Sequence, residues 1–187
     1  MTCSALKTVL LAAALIASSA RLVWGVEFAA ERVTRIDGHT RKAYVFYREG
    51  MWRVETNDVG SVDATIVRKD KGVMWLLQSG RRQFQTRQYD PLEEILVGER
   101  PSGEVSREVI ATETLFGHPA TVYRLAVRDP GGAVHIYYQW LATDLRVPLR
   151  VVRKNSDWLV EYPRLNVTHH SDLLFDIPRF YRAAPSR

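Results

Sequence analysis

"IVRKDKGVMWLLQSGRRQFQT", residues 66–86, places five apolar residues in unbroken succession, Val73 to Leu77, between two basic flanks. Successive side chains of a strand point to opposite faces, so Val73, Trp75 and Leu77 share one face while Met74 and Leu76 share the other. A strand that shows one face to water alternates apolar with polar residues, and this one is apolar on both sides. Something in the chain must cover the second face.

The same pattern recurs outward from this stretch. In "YVFYR" Tyr44 and Phe46 oppose Val45 and Tyr47; in "HIYYQWL" Ile136, Tyr138 and Trp140 oppose Tyr137 and Leu141. Burying one such side chain stabilises by roughly 1.5–3 kcal/mol, so a row of them left in water would be costly and prone to aggregate. A period near two predicts strands at Phe28–Ile36, Thr40–Arg48, Met51–Thr56, Ser61–Arg68, Gly72–Gln78 and Arg82–Tyr89, with breaks at "DGHT", "REG", "NDVG", "KDKG" and "QSGR". These breaks are short and rich in turn-forming residues, which predicts an antiparallel meander. "DPLEEILVGER" then reads as one short helix over residues 91–97, with Asp90 ahead of a proline and two glutamates in the first turn. A second helical stretch is open at Glu27–Arg32. Strands resume at Ser106–Thr114, Thr121–Val127, Ala133–Trp140, Pro148–Lys154, Asp157–Tyr162 and Leu165–His169. No repeat or linker interrupts the series, so residues 26–187 form one domain.

Three covers are open for the second face: a second sheet, helices, or the sheet's own curl. Tight turns in meander order favour one long sheet that curls, and the chain offers little helix. The expected fold is mainly β: a curled antiparallel sheet forming an incomplete, half-open β-barrel, with one or two short helices lining or covering the concave face. A hollow left inside such a curl suits a hydrophobic guest. The other outcome is a barrel filled by its own side chains.

The 187 residues, 46% hydrophobic, 25% charged and 10% aromatic, exclude disordered and fibrous classes. "MTCSALKTVLLAAALIASSARLVWG" has Lys7, an apolar run from Thr8 to Ala17 and then small residues, the layout of a cleavable secretory leader and too short for a bilayer-spanning helix of about 20 residues. Cleavage is expected after Gly25, with Ala20 as the other site; Arg21 is the feature that favours an uncleaved anchor. The single cysteine, Cys3, lies within the leader. The remaining chain has no disulfide or thiolate chemistry, which fits a Gram-negative periplasm better than an extracellular animal domain. Lys7 and Arg21 are the only charged residues among the first 25, so removing them leaves 24 basic against 21 acidic residues, a net charge of +3. That is too weak for a nucleic-acid binder, and none is expected as a partner.

No catalytic constellation emerges. His169 and His170 are adjacent and face opposite ways on a strand, so a metal would need distant partners such as His39, His118 or His135; no metal and no cofactor are expected. Glu93 and Glu94 read as a solvated helix start. Ser79 in "QSGR" lacks a nucleophile elbow, and "DPGGAV" is a hairpin turn at Asp129–Gly132. Arg81, Arg82 and Arg87 in "RRQFQTRQ" read as an exposed strand face, or as contacts for anionic lipid headgroups near an apolar mouth.

"KAYVFYREGMWRVET" followed by "ATIVRKDKGVMWLLQSGRRQFQT" resembles exported bacterial proteins of the LolA-like class, which includes the LolA and LolB lipoprotein carriers and a neighbouring uncharacterised outer-membrane lipoprotein-sorting-like family. The matching positions are Arg53 and Glu55, then Ile66, Val67, Arg68, Asp70, Trp75 and Leu77, then Phe84. "DLLFDIPRFYRA" resembles the closing motif, with Phe180 where glycine is usual. The resemblance implies an incomplete β-barrel with an apolar cavity that in the carriers accepts acyl chains. It also implies a gating role for Arg48, four residues before Trp52, although Glu49 stands where the carriers have proline; the other reading of Arg48 is a solvated strand end. The expectation is therefore a non-enzymatic periplasmic protein that binds a lipid or the acyl chains of a lipoprotein, in lipoprotein carriage or envelope lipid transport serving outer-membrane biogenesis. Phe46, Trp52, Met74, Trp75, Leu76, Tyr138 and Trp140 are the candidate lining, of which alternation lets only one set face inward. The alternative is an envelope interaction or sensor module that docks a protein, such as a transporter or sensor, on the same sheet. The guest, the partner and the oligomeric state stay open.

Overall fold

The computed structural model describes residues 26–57, 62–155 and 158–185; the leader and its cleavage sites lie outside the described residues. Six strands follow one another as a meander: β1 (Phe28–Ile36), β2 (His39–Arg48), β3 (Met51–Thr56), β4 (Ala64–Arg68), β5 (Val73–Gln78) and β6 (Gln83–Gln88). The chain then crosses to the far edge of the sheet through a 3-10 helix, Pro91–Leu96, called the crossing helix below. It returns as a second meander: β7 (Glu104–Leu115), β8 (His118–Arg128), β9 (Val134–Ala142), β10 (Pro148–Arg153) and β11 (Leu159–Val167). A tail follows, with a short tail helix (Asp172–Phe175) and a two-residue strand β12 (Arg182–Ala183).

The result is one 12-stranded sheet, ordered β12-β6-β5-β4-β3-β2-β1-β11-β10-β9-β8-β7. The two meanders are joined where β1 pairs with β11, so the sheet is one surface although the chain covers it in two passes. Every pairing is antiparallel except that of β12 with β6, which is parallel. The sheet curls without closing and forms the expected half-open barrel.

Local sequence explains the turns. Asp37 and Gly38 both take positive φ, 49° and 74°, which joins β1 to β2 by the tight hairpin turn whose twist matches the strands. The crossing helix starts as the sequence predicts, Asp90 accepting the Leu92 N–H at 2.9 Å ahead of Pro91.

Three expectations are corrected. Glu27–Arg32 is not helical: from Phe28 onward it is β1, because pairing with both β2 and β11 outweighs local preference. The strands expected at Asp157–Tyr162 and Leu165–His169 are one strand, β11, running through Pro163. The twelfth strand is instead β12 in the tail.

The inner face carries the main core. Phe28, Val45, Trp52, Val54 and Val67 of the first meander join Leu125, Val127, Tyr137, Leu149 and Tyr162 of the second through Ile95, Leu96 and Val97 of the crossing segment. The other face of β2–β6 has its own cluster, in which Ile66, Leu77 and Phe175 are 0% exposed and Phe46, Met51, Trp75, Phe84, Leu174 and Tyr181 surround them. The cover of the opening stretch is therefore double. Met74 and Leu76 face the crossing helix side, and Trp75 and Leu77 are sealed by the chain's own tail. The tail is a cover that neither a second sheet, nor regular helices, nor curl alone supplies.

Candidate functional site

The crossing helix fills only part of the concave face. Beside it lies a hollow of about 280 Å3 whose apolar walls include Trp52, Val54, Val67, Met74 and Leu76 and whose polar ones are Arg32, Thr56, Asp63, Thr65 and Glu93. A second hollow, of about 560 Å3, lies between the β2–β3 turn and the loop after the crossing helix, with Tyr47 and Trp52 as aromatic walls and Lys69, Glu94, Glu99 and Arg146 as ionic ones. Trp52 is 2% exposed and belongs to both. Tyr89 meets it edge-on at 6.0 Å and Tyr47 lies at 6.5 Å, so the partition is an aromatic block rather than a mobile side chain.

Of the seven candidate lining residues, Trp52, Met74 and Leu76 are brought together on the inner face. Phe46 and Trp75 lie on the outer face in the cluster under the tail. Tyr138 and Trp140 alternate with Gln139, whose amide reaches the crossing helix, so they point away from the hollow. Trp140 donates its indole N–H to Glu113 and stacks under Arg150, 5.2 Å away. Arg81, Arg82 and Arg87 are all exposed. Arg81 and Arg82 occupy the β5–β6 turn, while Arg87 sits across from Met74 near the other end of β6.

Arg48 fastens the tail. Its guanidinium donates to Glu27 at 2.9 Å, to the Asp172 carboxylate and to the His170 carbonyl, and lies 5.4 Å from the Phe175 ring. Its side chain is 17% exposed, which sets aside the solvated strand end. Arg53 donates to the Leu174 carbonyl at 3.4 Å, and Arg68 donates to the Phe175 carbonyl at 3.3 Å and Asp176 at 2.7 Å. Pairing places these three arginines on the same face as Phe46 and Ile66. A basic residue interrupting an apolar face is the sequence signal for Arg53 and Arg68, which the motif reading treated as matching positions without a role.

The clamp is expected to depend on pH. Burial works to raise the Glu27 carboxyl, but the His170 N–H and Arg48 outweigh it and hold Glu27 below its ordinary value. Asp172 is held low chiefly by its hydrogen bond from Arg48. A depressed carboxylate stabilises above its unfolded pKa and loses that contribution as pH falls through the folded one. The tail is thus expected to stay docked at neutral pH and loosen below about pH 4. Amide exchange over residues 170–184 at pH 7 and pH 3 checks this, and unchanged protection at pH 3 would show that the carboxylates do not hold it.

Glu94 is buried, 6% exposed, rather than solvated, because the crossing helix lies on the sheet. Burial works to raise its carboxyl, and hydrogen bonds from Lys69 and Ser102 outweigh that and keep it low. Glu93 shifts upward, mainly through burial. Among the described residues no group of three or more His, Cys, Asp or Glu side chains has metal-binding geometry. His118 pairs with Asp144 at 2.8 Å, His135 with Asp129 at 2.9 Å, and buried His170 contacts the Phe28 carbonyl at 2.9 Å. His39 is exposed at the β1–β2 turn, and His169 lies 3.2 Å from Glu27.

No protein-family model matches the chain, and no curated protein matches it at a significant level. Solved structures do. An uncharacterised conserved protein of Thermus thermophilus is similar with a TM-score of 0.58 at 15% identity, covering 86% of this chain and 90% of that one. MucB of Pseudomonas aeruginosa, in its complex with MucA, is similar with a TM-score of 0.53 at 14% identity, covering 86% of this chain. These are likenesses of fold. This chain spans 58% of that MucB-complex chain. Similar structures also include a LolA superfamily protein of Nitrosomonas europaea, with a TM-score of 0.44 at 11% identity over 81% of this chain and 90% of that one.

Proposed function

We propose that this chain is a non-enzymatic periplasmic protein, exported by a leader cleaved after Gly25, that holds the acyl chain of a lipid or lipidated polypeptide on the inner face of its curled sheet. The observation that carries the reading is the division of labour between the two faces. The outer face of β2–β6 is sealed by the tail, while Trp52, Val54, Val67, Met74 and Leu76 line a hollow that the crossing helix leaves open. An apolar wall unfilled by its own chain forgoes roughly 25 cal/mol for each Å2 that a guest would cover. Arg87, across from Met74, is exposed at the rim of this face.

The test is mass spectrometry of lipids extracted from protein purified from the native envelope without detergent. A co-purifying acyl species is the expected result, and its amount should fall at least about tenfold in Met74→Glu, which places a carboxylate on the apolar wall. Repeated absence of any acyl species from the parent protein would overturn carriage.

The second reading is a protein-docking module of the envelope, favoured by the likeness to MucB, a protein whose solved structures include complexes with MucA. It predicts a protein partner retained by the parent chain and equally by Met74→Glu, because docking uses the surface of the sheet rather than the hollow.

A further inference from the structure

The smaller hollow has a feature that an apolar guest alone leaves unexplained. Arg32 lies on the inner face of β1 opposite Ala43 and forms part of the wall together with Glu93. Its Nε is buried with no hydrogen-bond partner among the described residues, and the Tyr162 hydroxyl, on a residue 1% exposed, lies against the Arg32 side chain. Buried polar groups are nearly always paired, so the Arg32 Nε, on a residue of the cavity wall, calls for a partner from outside. The backbone is arranged to match. The β1–β11 register runs from Glu31 opposite Arg164 to Val33 opposite Glu161, so Tyr162 and Pro163 stand against Arg32 alone. Such a bulge re-aims side chains, and Pro163, with no N–H for the ladder, is tolerated there.

We propose that Arg32 receives the anionic headgroup of a single-chain amphiphile, of which a fatty-acid carboxylate is the simplest, with its tail along Val54, Val67, Met74 and Leu76. The inference rests on the reading of the inner face as the guest site and names the class of guest. A guanidinium presents donors in a plane that matches a carboxylate, and the bond strengthens where water is excluded. The Tyr162 hydroxyl supplies another donor; burial pushes its phenol up to about 12, so it keeps its proton. Two acidic residues share this wall: Asp63, whose carboxylate accepts the Ser79 N–H at 3.0 Å, and Glu93. Burial raises the Glu93 carboxyl, with Arg32 opposing the rise and Asp90 adding to it. A hollow of about 280 Å3 sits at the lower edge of ligand cavities, which argues for one chain rather than a diacyl lipid.

The experiment titrates purified protein with dodecanoate and with dodecanol, equal in chain length and different in head, by calorimetry. Dodecanoate is expected to bind at least about tenfold more tightly than dodecanol. Arg32→Met should abolish the difference while leaving dodecanol affinity unchanged, and Arg32→Lys should keep part of it. Acetate, the head without the tail, should not displace dodecanoate. Equal affinity for both amphiphiles in the parent protein overturns the headgroup assignment and leaves the apolar-guest reading standing. A preference that survives in Arg32→Met also overturns the assignment, and binding of neither amphiphile overturns both readings. If Arg32→Met does not fold, the parent protein's preference still decides.

Discussion

Phe175→Ala is expected to lower the free energy of unfolding by about 3–5 kcal/mol, the range for truncating a sealed aromatic. Phe175 is 0% exposed and packs against Ile66 and Leu77, both equally buried, with Phe46, Trp75 and Phe84 around them. His170 meets its ring at 6.0 Å and the Arg48 guanidinium lies over it, so the truncation removes the apolar plug together with the surface on which the clamp rests. The cavity cannot collapse easily, because the sheet beneath it is paired along β3, β4, β5 and β6. Urea unfolding followed by tryptophan fluorescence measures the loss. A loss under about 1 kcal/mol, ordinary for a surface change, would show that the tail is an appendage and that Trp75 is sealed by something else.

The second large effect is expected at Gln139. This residue is 0% exposed and donates its amide to the carbonyls of Ile95, at 3.4 Å, and Gly98, at 3.2 Å, while its oxygen accepts from Arg107 at 3.4 Å. Gln139 thereby pins the crossing segment to β9. Leucine is close in volume, so Gln139→Leu tests the hydrogen bonds rather than packing. Leaving buried partners unsatisfied costs roughly 1–3 kcal/mol each, and with partial relaxation the variant should lose about 2–4 kcal/mol. Chemical denaturation gives the magnitude, and proteolysis around residues 97–103 should accelerate as the segment loosens. A variant as stable as its parent would mean that the apolar contacts of Ile95, Leu96 and Val97 hold the crossing segment unaided.

These two positions show where sequence reading stops. Alternation reports that a face is buried, since burial on both sides leaves "GVMWLLQ" without a polar set, and the strands were legible for that reason, the turns through their Gly, Asp and Asn residues and the helix start through Asp90 ahead of Pro91. Alternation does not report what lies on the face. The cover of Trp75 and Leu77 comes from residues 170–184, about a hundred positions away, and nothing local marks Phe175 as their partner. The crossing from β6 to β7 is equally silent, because the hairpin signals fix each neighbour pair and leave open which edges the two meanders share. Gln139 was visible as a polar residue between Tyr138 and Trp140 in "HIYYQWL", yet its role depends on a helix more than forty residues earlier. Arg48 was singled out through a family resemblance, and the structure gives it tail residues to hold. Arg32 lay within the stretch left open as helical, and only the pairing of β1 with both neighbours turns it toward the hollow.

The central claim, that the inner face of the curl is the guest side and the outer face belongs to the tail, is tested most directly by cross-linking. A photoactivatable fatty acid would be bound to the purified protein and irradiated, and the modified residues identified by peptide mass spectrometry. Attachment is predicted at Trp52, Val54, Met74 and Leu76. Attachment at Phe46, Trp75, Tyr138 or Trp140 in place of these would contradict the account.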